Sequence, residues 1–318
     1  MIIKNIQVLR ALAAFCVLFL HTVYAVNDYN FFQLTKNFSS WGDFGVDIFF
    51  IITGFIMIYV KRSQKNTFHF LKNRINRILP LYYFFNILYL FIFILFPTSF
   101  RTLQINSDNF FLSLLFLNQY INLEKPIVTA GWSLEYEMLF YILFAICMFI
   151  RNIKLFYFFI IFLLFLLSFK DFLFIEFLFG ILIGIIYINK NKLKKNIFKN
   201  YSYFFLIFGL VALFVSIFFY QETHRTIKYG IPSAFILLGS IFSKQISNKY
   251  IIFLGNASYS IYLSHSLCVI GTVKLFKIIA PNFNGITLVI IILTLSLLFA
   301  SLIYYFIERN LILLMKKL

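Results

Sequence analysis

Five ionisable residues lie inside or at the edge of long apolar segments of this chain: Arg10, His21, Asp47, Glu137 and His265. An ionised side chain at the centre of a membrane helix is unfavourable by roughly 2.5–3.5 kcal/mol, so such residues usually face a protein interior or a wet cavity. Histidine beside a carboxylate supports general acid–base chemistry near pH 7, and arginine binds phosphate. Together these residue types predict a reaction centre within a membrane.

The composition indicates the elements that must position these residues. The chain is 62% hydrophobic and 12% charged, whereas soluble domains are about 25% charged. It is therefore expected to be an all-α, polytopic integral membrane protein with one membrane domain over residues 1–318 and no separate soluble domain. An apolar stretch at 110–120 is too short to cross easily and is expected to be interfacial or re-entrant. About ten transmembrane helices are expected, at 8–26, 44–60, 79–96, 132–150, 153–169, 172–188, 201–220, 229–242, 250–273 and 286–307.

The net charge of +17 has two interpretations, nucleic-acid binding or basic cytoplasmic loops. With the N-terminus inside and an even number of spans, 20 of the 28 basic residues fall on the cytoplasmic side, as the positive-inside rule requires. We therefore expect a multi-pass protein of a bacterial cytoplasmic membrane, with both termini cytoplasmic, the lipid bilayer as its surroundings and no nucleic-acid partner. Cys16, Cys147 and Cys268 have no metal-ligand spacing, and no metal is expected.

Helical rise predicts the depth of the polar residues. His21 follows Arg10 by eleven residues, or roughly 16 Å at ~1.5 Å per residue. Arg10 is thus expected near the cytoplasmic face. The alternating direction of the spans brings His21, Asp47, Glu137 and His265 to similar depth in the outer half of the membrane. These four groups are expected to share one wet pocket.

Two further patterns leave alternatives open. Ser258, Tyr262 and His265 are spaced i, i+4, i+7 and share one helical face, which either lines a cavity or bonds to a neighbouring helix. Arg74 and Arg77 precede Pro80, which is expected in the first turn of the third span. This arginine pair could bind phosphate, or it could be the basic flank that any span carries at a lipid surface.

Five short motifs occur in order along nearly the whole chain. They are Arg10 with His21, FGVDIFF at 44–50 with TGF at 53–55, RINRILP at 74–80, WSLEYE at 132–137 with Phe140 and Tyr141, and LGNASYSIYLSH at 254–265. These motifs resemble those of the acyltransferase-3 family of membrane O-acyltransferases. Thr53 stands where that family usually has serine. Glu308 is not followed by the family's proline two residues later, so no role is assigned to it.

The resemblance implies transfer of an acyl group, commonly acetyl, from cytoplasmic acetyl-CoA to a hydroxyl of an extracytoplasmic glycan such as lipopolysaccharide, capsule or exopolysaccharide. His21 would be the general base or an acyl-accepting nucleophile, partnered by Asp47 or Glu137. The cationic groups for CoA phosphates would be Arg10, Arg74 and Arg77. The acceptor-binding residues would be Trp132, Ser133, Tyr259, Tyr262 and His265.

A membrane transporter or flippase is the alternative function, because carriers also bury charges at matched depth. No repeat relates the two halves of the chain, which favours the enzyme. The oligomeric state, the acyl group and the acceptor hydroxyl stay open.

Overall fold

A computed structural model describes residues 3–31, 41–62, 66–97, 106–121, 125–189, 196–216, 218 and 224–317. These residues form helices and contain no strand, which confirms the all-α expectation. Trp41–Asp43 is a 3₁₀ turn, and Thr226–Gly230 and Tyr304–Glu308 are π-helical turns. The α-helices are α1 Lys4–Asp28, α2 Phe44–Lys61, α3 Thr67–Leu95, α4 Ser107–Leu115, α5 Asn118–Ile121, α6 Gly131–Met148, α7 Ile153–Ser168, α8 Leu173–Ile188, α9 Asn196–Asn200, α10 Ser202–Ser216, α11 Ile231–Phe242, α12 Lys249–Asn256, α13 Ser258–Ile279, α14 Gly285–Ile303 and α15 Arg309–Lys317.

Six helices of the described residues are long and apolar enough to cross a membrane: α1, α2, α3, α6, α13 and the continuous stretch Gly285–Lys316. Four shorter apolar helices, Ile153–Ser168, Leu173–Ile188, Ser202–Ser216 and Thr226–Phe242, account for the other four expected segments. The multi-pass helical architecture is thus confirmed. The stretch expected to be interfacial or re-entrant forms α4 and α5, which are both short.

The third span begins a dozen residues earlier than expected. α3 starts at Thr67, where the Asn66 side chain accepts hydrogen bonds from the backbone N–H groups of Phe68 and His69. An asparagine cap of this kind satisfies donors that the first helical turn leaves free. Pro80 therefore lies inside α3, and its expected position in the first turn is wrong. Arg74 and Arg77 consequently project from a regular helix.

Glycine allows α2 and α8 to pack with their backbones in contact. A Cβ atom built on Gly180 would lie 2.1 Å from the carbonyl oxygen of Ile51, and one on Gly54 would lie 2.3 Å from that of Phe177. Small residues serve this purpose in membranes because lipid supplies no hydrophobic drive for helix association. The close approach holds α2, which carries Asp47 and Thr53, in a fixed place in the bundle.

The outer helices show which surface faces lipid. On α7 the buried residues recur every fourth position, at Phe156, Ile160, Leu164 and Ser168. Exposed residues of the same helix include Phe158 and other large apolar side chains. A helix that is apolar on its exposed side as well as its buried side is typical of a membrane-spanning segment.

The beginning and end of the described chain lie at the same end of the bundle. Lys4 Nζ donates a hydrogen bond to Ser247 Oγ (3.1 Å), and Asn76 Nδ2 donates to the carbonyl oxygen of Met315 (3.0 Å). Arg10 lies one to two turns from Lys4, and Arg77 is adjacent to Asn76. The first turns of α1, the first half of α3 and the last helix therefore meet near the arginine residues.

Replacing Gly180 by Ala is expected to destabilise the protein by about 1–3 kcal/mol, because the added methyl group overpacks the α2–α8 contact. The matched control is Gly271→Ala, since no heavy atom lies within 4 Å of a Cβ built there. Thermal stability of the detergent-solubilised variants, followed by size-exclusion chromatography after heating, measures the difference. Equal melting temperatures for the two variants would contradict the close approach.

Candidate active site

A first cavity, here named the arginine cavity, lies where α1, α2, α3, α6 and α13 meet. Its volume is about 70 Å³. Three guanidinium groups line it against a single carboxylate, that of Glu137, so its charge favours an anionic ligand. Its polar lining residues are Arg10, Thr53, Arg74, Arg77, Ser133, Glu137, Tyr141, Ser258, Tyr259 and Tyr262.

A second cavity, here named the histidine cavity, lies further along α1. Its volume is about 160 Å³. His21 is exposed and His265 is 2% exposed; their ring centroids lie 4.6 Å apart in an edge-to-face arrangement. The lining residues are Val17, Leu20, His21, Asp43, Val46, Lys125, Thr129, Ala130, Trp132, Tyr262 and His265.

Two side chains, those of Val46 and Tyr262, line both cavities. The Tyr262 hydroxyl lies 2.7 Å from Ser133 Oγ, close enough for a hydrogen bond in which either group is the donor. Tyr262 is 6% exposed and Ser133 is 5% exposed. The two cavities are thus separated by a single layer of side chains. A ligand group bound in one cavity would face the other cavity across the Tyr262 side chain.

Polar interactions line the arginine cavity. Glu137 Oε1 accepts hydrogen bonds from Thr53 Oγ1 (3.0 Å) and from the Tyr141 hydroxyl. Arg74 Nε is a buried donor that has no hydrogen-bond partner among the described residues. Buried donors are normally satisfied, so this unpaired guanidinium nitrogen beside the cavity is available to an acceptor atom of a ligand or water. Arg10 is 8% exposed, and its charge interacts with both Glu137 and Glu308.

Backbone hydrogen bonds define the tautomers of both histidines. His21 Nδ1 lies 2.9 Å from the carbonyl oxygen of Val17, and His265 Nδ1 lies 2.6 Å from that of Tyr262. A carbonyl oxygen only accepts, so Nδ1 carries the proton in each ring and Nε2 of the neutral ring has a free lone pair. Each imidazole can therefore accept a proton or a hydrogen bond through Nε2.

Neither carboxylate expected beside His21 lines the histidine cavity. Glu137 lines the arginine cavity, and Asp47 lines neither of the two. The four groups expected to share one pocket are thus divided: His21 and His265 lie together, Glu137 lies with the arginines, and Asp47 is separate. The carboxylate that shares the cavity with His21 is that of Asp43, in the 3₁₀ turn before α2.

Asp47 instead forms a bidentate ion pair with Arg225. Arg225 Nη2 lies 2.8 Å from Asp47 Oδ2, and Nε lies 3.3 Å from Oδ1. Asp47 is fully buried, while the Arg225 side chain is 34% exposed. Nη2 also donates to the backbone carbonyl of Asp43 (3.3 Å). The buried Glu176 interacts electrostatically with both members of the pair. Asp47 therefore connects α2 to Arg225, the residue directly before the π-helical turn Thr226–Gly230, and Arg225 in turn holds the backbone of Asp43.

The remaining expected residues lie at the cavities. Ser133 and Tyr259 line the arginine cavity, Trp132 lines the histidine cavity, and Tyr262 lines both. The Tyr259 hydroxyl donates to the carbonyl oxygen of Ile78 (2.8 Å), which joins α13 to α3 beside Arg77. Ser258, expected on the same face as Tyr262 and His265, also lines the arginine cavity.

Sequence reasoning missed three charged residues near these cavities. Asp43 and Arg225 lie outside the apolar runs, so an intramembrane-charge search does not select them. Glu308, to which no role was assigned, is 5% exposed and accepts a hydrogen bond from Ser260 Oγ (2.5 Å). Its position at the end of an apolar stretch is the one signal that could have marked it as a buried carboxylate.

Comparison with known proteins identifies the class. A family model described as an acyltransferase domain, that of the acyltransferase-3 family, matches residues 3–305. The chain therefore belongs to the acyltransferase-3 family and is a multi-pass membrane acyltransferase. This membership confirms the resemblance seen in the motifs and does not support the carrier alternative.

One curated relative matches part of the chain. The chain is 34% identical over 121 residues to the exopolysaccharide production protein ExoZ of Rhizobium meliloti (strain 1021). The alignment covers 36% of this chain and 37% of the relative, so the chain spans little more than a third of the length of the relative it matches. No solved structure matches the chain significantly.

Replacing Arg225 by Met is expected to destabilise the fold by about 3 kcal/mol, because it leaves the Asp47 carboxylate buried without its cation. Adding Asp47→Asn to Arg225→Met is expected to restore most of that loss, since the uncompensated charge is then removed. Chemical unfolding in detergent, followed by tryptophan fluorescence, measures both variants. If the double variant is no more stable than Arg225→Met, the ion pair does not carry the stability assigned to it.

Proposed function

We propose that this protein transfers an acyl group, with acetyl as the first candidate, from cytoplasmic acyl-CoA to a hydroxyl of an extracytoplasmic glycan. The observation that carries the proposal is the arrangement of the two cavities, one cationic and one with two histidines, separated by Tyr262 and Val46. Exopolysaccharide is the first acceptor to test, since the relative ExoZ is named for exopolysaccharide production.

The arginine cavity is proposed to hold the donor. Phosphate groups of CoA would pair with Arg10, Arg74 and Arg77, since guanidinium groups bind phosphate oxygens bidentately. The basic end of the bundle would face the cytoplasm of a bacterial cell, with both chain ends on that side of the cytoplasmic membrane, in agreement with the positive-inside rule. The thioester would lie toward Tyr262, next to the histidine cavity.

The histidine cavity is proposed to hold the acceptor. His21 Nε2 takes the proton of a sugar hydroxyl as the sugar oxygen forms a bond to the thioester carbonyl carbon. The carbon–sulfur bond then breaks, CoA leaves as the thiolate, and the thiolate takes up a proton to become the free thiol. His21 releases its proton before the next turnover. The hydrogen bond from Nδ1 to the Val17 carbonyl keeps Nε2 available for this step.

A second order of events uses the same atom. His21 Nε2 could attack the thioester first and form an acyl-histidine, which the sugar hydroxyl then attacks. This order would carry the acyl group past Tyr262 without bringing donor and acceptor into contact. In both orders the reacting atom of the protein is Nε2 of His21.

His265 and Tyr262, which line the cavity with His21, differ in the hydrogen bonds that they can offer a substrate. In neutral His265, Nδ1–H donates a hydrogen bond to a backbone carbonyl oxygen. Its Nε2 can therefore accept a hydrogen bond from a sugar hydroxyl but cannot donate one to a carbonyl. The Tyr262 hydroxyl, paired with Ser133, can donate. We therefore assign acceptor binding to His265 and polarisation of the thioester carbonyl to Tyr262.

The experiment that tests the function uses membranes, radiolabelled acetyl-CoA and glycan extracted from a strain that lacks the gene. Native membranes are expected to place alkali-labile label in the glycan. His21→Ala is expected to reduce the rate at least about 100-fold, the usual contribution of a general base. His69→Ala is the control, because His69 is exposed at the beginning of α3. Undiminished labelling by His21→Ala, with comparable amounts of folded protein, would refute the role.

Asp43 is proposed to stabilise the protonated form of His21 during the reaction. Burial raises the pKa of the Asp43 carboxyl, and the Arg225 guanidinium acts in the opposite direction. The charged and titratable groups around the pair are His265 and Lys125 on the side of His21, and Arg225, Asp47 and Lys228 on the side of Asp43. A negative charge beside an imidazole favours imidazolium.

Asp43→Asn is expected to slow turnover and to move the acid limb of the pH–rate profile to lower pH by up to about one unit, because neutral His21 then persists further into acid. Profiles of kcat/KM are measured in permeabilised membranes, so that both faces experience one pH. Asp43→Glu keeps the carboxylate and should restore the native profile. Asp28→Asn, at the exposed end of α1, is the charge-matched control. If Asp43→Asn lowers kcat/KM by the same factor at every pH and leaves the position of the acid limb unchanged, the electrostatic role is excluded.

A further inference from the structure

Glu135 is a fully buried carboxylate on α6 that lines neither cavity. Its Oε1 accepts hydrogen bonds from Asn118 N (3.3 Å) and Asn118 Nδ2 (3.1 Å), and its Oε2 accepts from Gln119 N (2.7 Å). Three N–H donors satisfy a charge that would otherwise be strongly unfavourable in the interior. The carboxylate thereby ties the beginning of α5 to α6.

The hydrogen bonds continue from Asn118 to the segment 125–130. Asn118 Nδ2 also donates to Ser113 Oγ (3.1 Å), and Ser113 Oγ accepts from Ile127 N (3.0 Å) while donating to Asn109 Oδ1 (3.2 Å). Asn109 Nδ2 in turn donates to the carbonyl oxygen of Lys125 (3.3 Å). In this series each N–H or O–H group donates and each carbonyl, amide or hydroxyl oxygen accepts, so all the bonds can form at the same time.

The far end of this network is a wall of the histidine cavity. Lys125, Thr129 and Ala130 line that cavity, and α6 begins directly afterwards with Gly131. The segment lacks regular secondary structure, so its backbone has no helical hydrogen bonds of its own to hold it. The network supplies them from Ser113 and Asn109, and Glu135 fixes Asn118 at its centre.

Stability alone does not explain a buried charge, because apolar residues of similar volume often stabilise a fold as well or better. Satisfied polar networks instead fix one arrangement of the groups they join. Here the arrangement fixed is that of the cavity wall. We propose that Glu135 is a positioning residue that sets the affinity for the acceptor glycan by holding residues 125–130 against His21 and His265. This inference rests on the proposed function, since it takes the histidine cavity as the acceptor site.

Glu135→Gln is the sharpest test. The amide oxygen can still accept from Asn118, but the amide NH₂ then faces the N–H of Gln119, so one charge-assisted hydrogen bond becomes a contact between two donors. In the membrane assay with extracted glycan, KM for the glycan is expected to rise about tenfold, the loss of one such bond. KM for acetyl-CoA, whose site lies across Tyr262, is expected to change less than twofold.

A second variant checks that the effect travels through the network. Ser113→Ala removes the hydroxyl that joins Asn118 to Ile127, and should raise the same KM. The variant with both substitutions is expected to be no worse than the more affected single variant, since residues of one network are not additive. Asp108→Asn, an exposed acid on the same helix as Ser113, is the control and should leave both constants unchanged.

Three outcomes would overturn the inference: an unchanged KM for the glycan in Glu135→Gln, equal rises in KM for both substrates, or strictly additive losses in the double variant. The first outcome would show that Glu135 has no role in glycan affinity, and the second would indicate a general loss of structure. The third would show that Glu135 and Ser113 do not act through one network. Failure of the proposed function is recognised separately, because native membranes would then place no label in the glycan, before any variant is compared.

Discussion

Compensation of buried charge is the constraint on which this bundle depends. A membrane interior offers no solvent to an ionised side chain, so each charge must meet a partner or a wet cavity. Three places among the described residues illustrate this requirement. Glu137 lies among three arginines, Asp47 pairs with Arg225, and Glu135 accepts three N–H donors. The apolar contacts between α2 and α8 hold the helices together, but these polar contacts select how the helices are placed around the two cavities.

The two histidines show how the backbone can set the tautomer of an imidazole. In hydrolases a carboxylate commonly holds the imidazole in its reactive tautomer. Here the carbonyl oxygens of Val17 and Tyr262 do so, each within the histidine's own helix. Asp43 is therefore free for electrostatic stabilisation of the charged ring, and Asp47 is free to hold the turn that carries Asp43. The motif residue Asp47 supports the site through Arg225 and not through contact with His21.

Much of the fold follows from the sequence, because long apolar runs and asparagine caps are local signals. The ten apolar helices occur in the expected order, and every expected site residue except Asp47 lines one or other cavity. The boundaries that failed did so for a local reason. Polar residues after the Asn66 cap continue as helix into the apolar run, so α3 begins at Thr67 and Pro80 interrupts one hydrogen bond only.

The division into two cavities did not follow from the sequence, because helical rise gives the height of a Cα atom and not the direction of its side chain. Glu137 and His21 were expected at similar depth, yet they face different cavities on opposite sides of Tyr262. Arginine makes the pairing harder to predict, because its charge lies at the end of a long side chain. The guanidinium group can therefore contact a carboxylate whose Cα atom lies at a different depth in the membrane. Partners such as Asp47 and Arg225, 178 residues apart, are selected by helix packing. A sequence therefore identifies the groups that must be compensated, while their pairing, and with it the separation of the two cavities, is determined only when all the helices are packed.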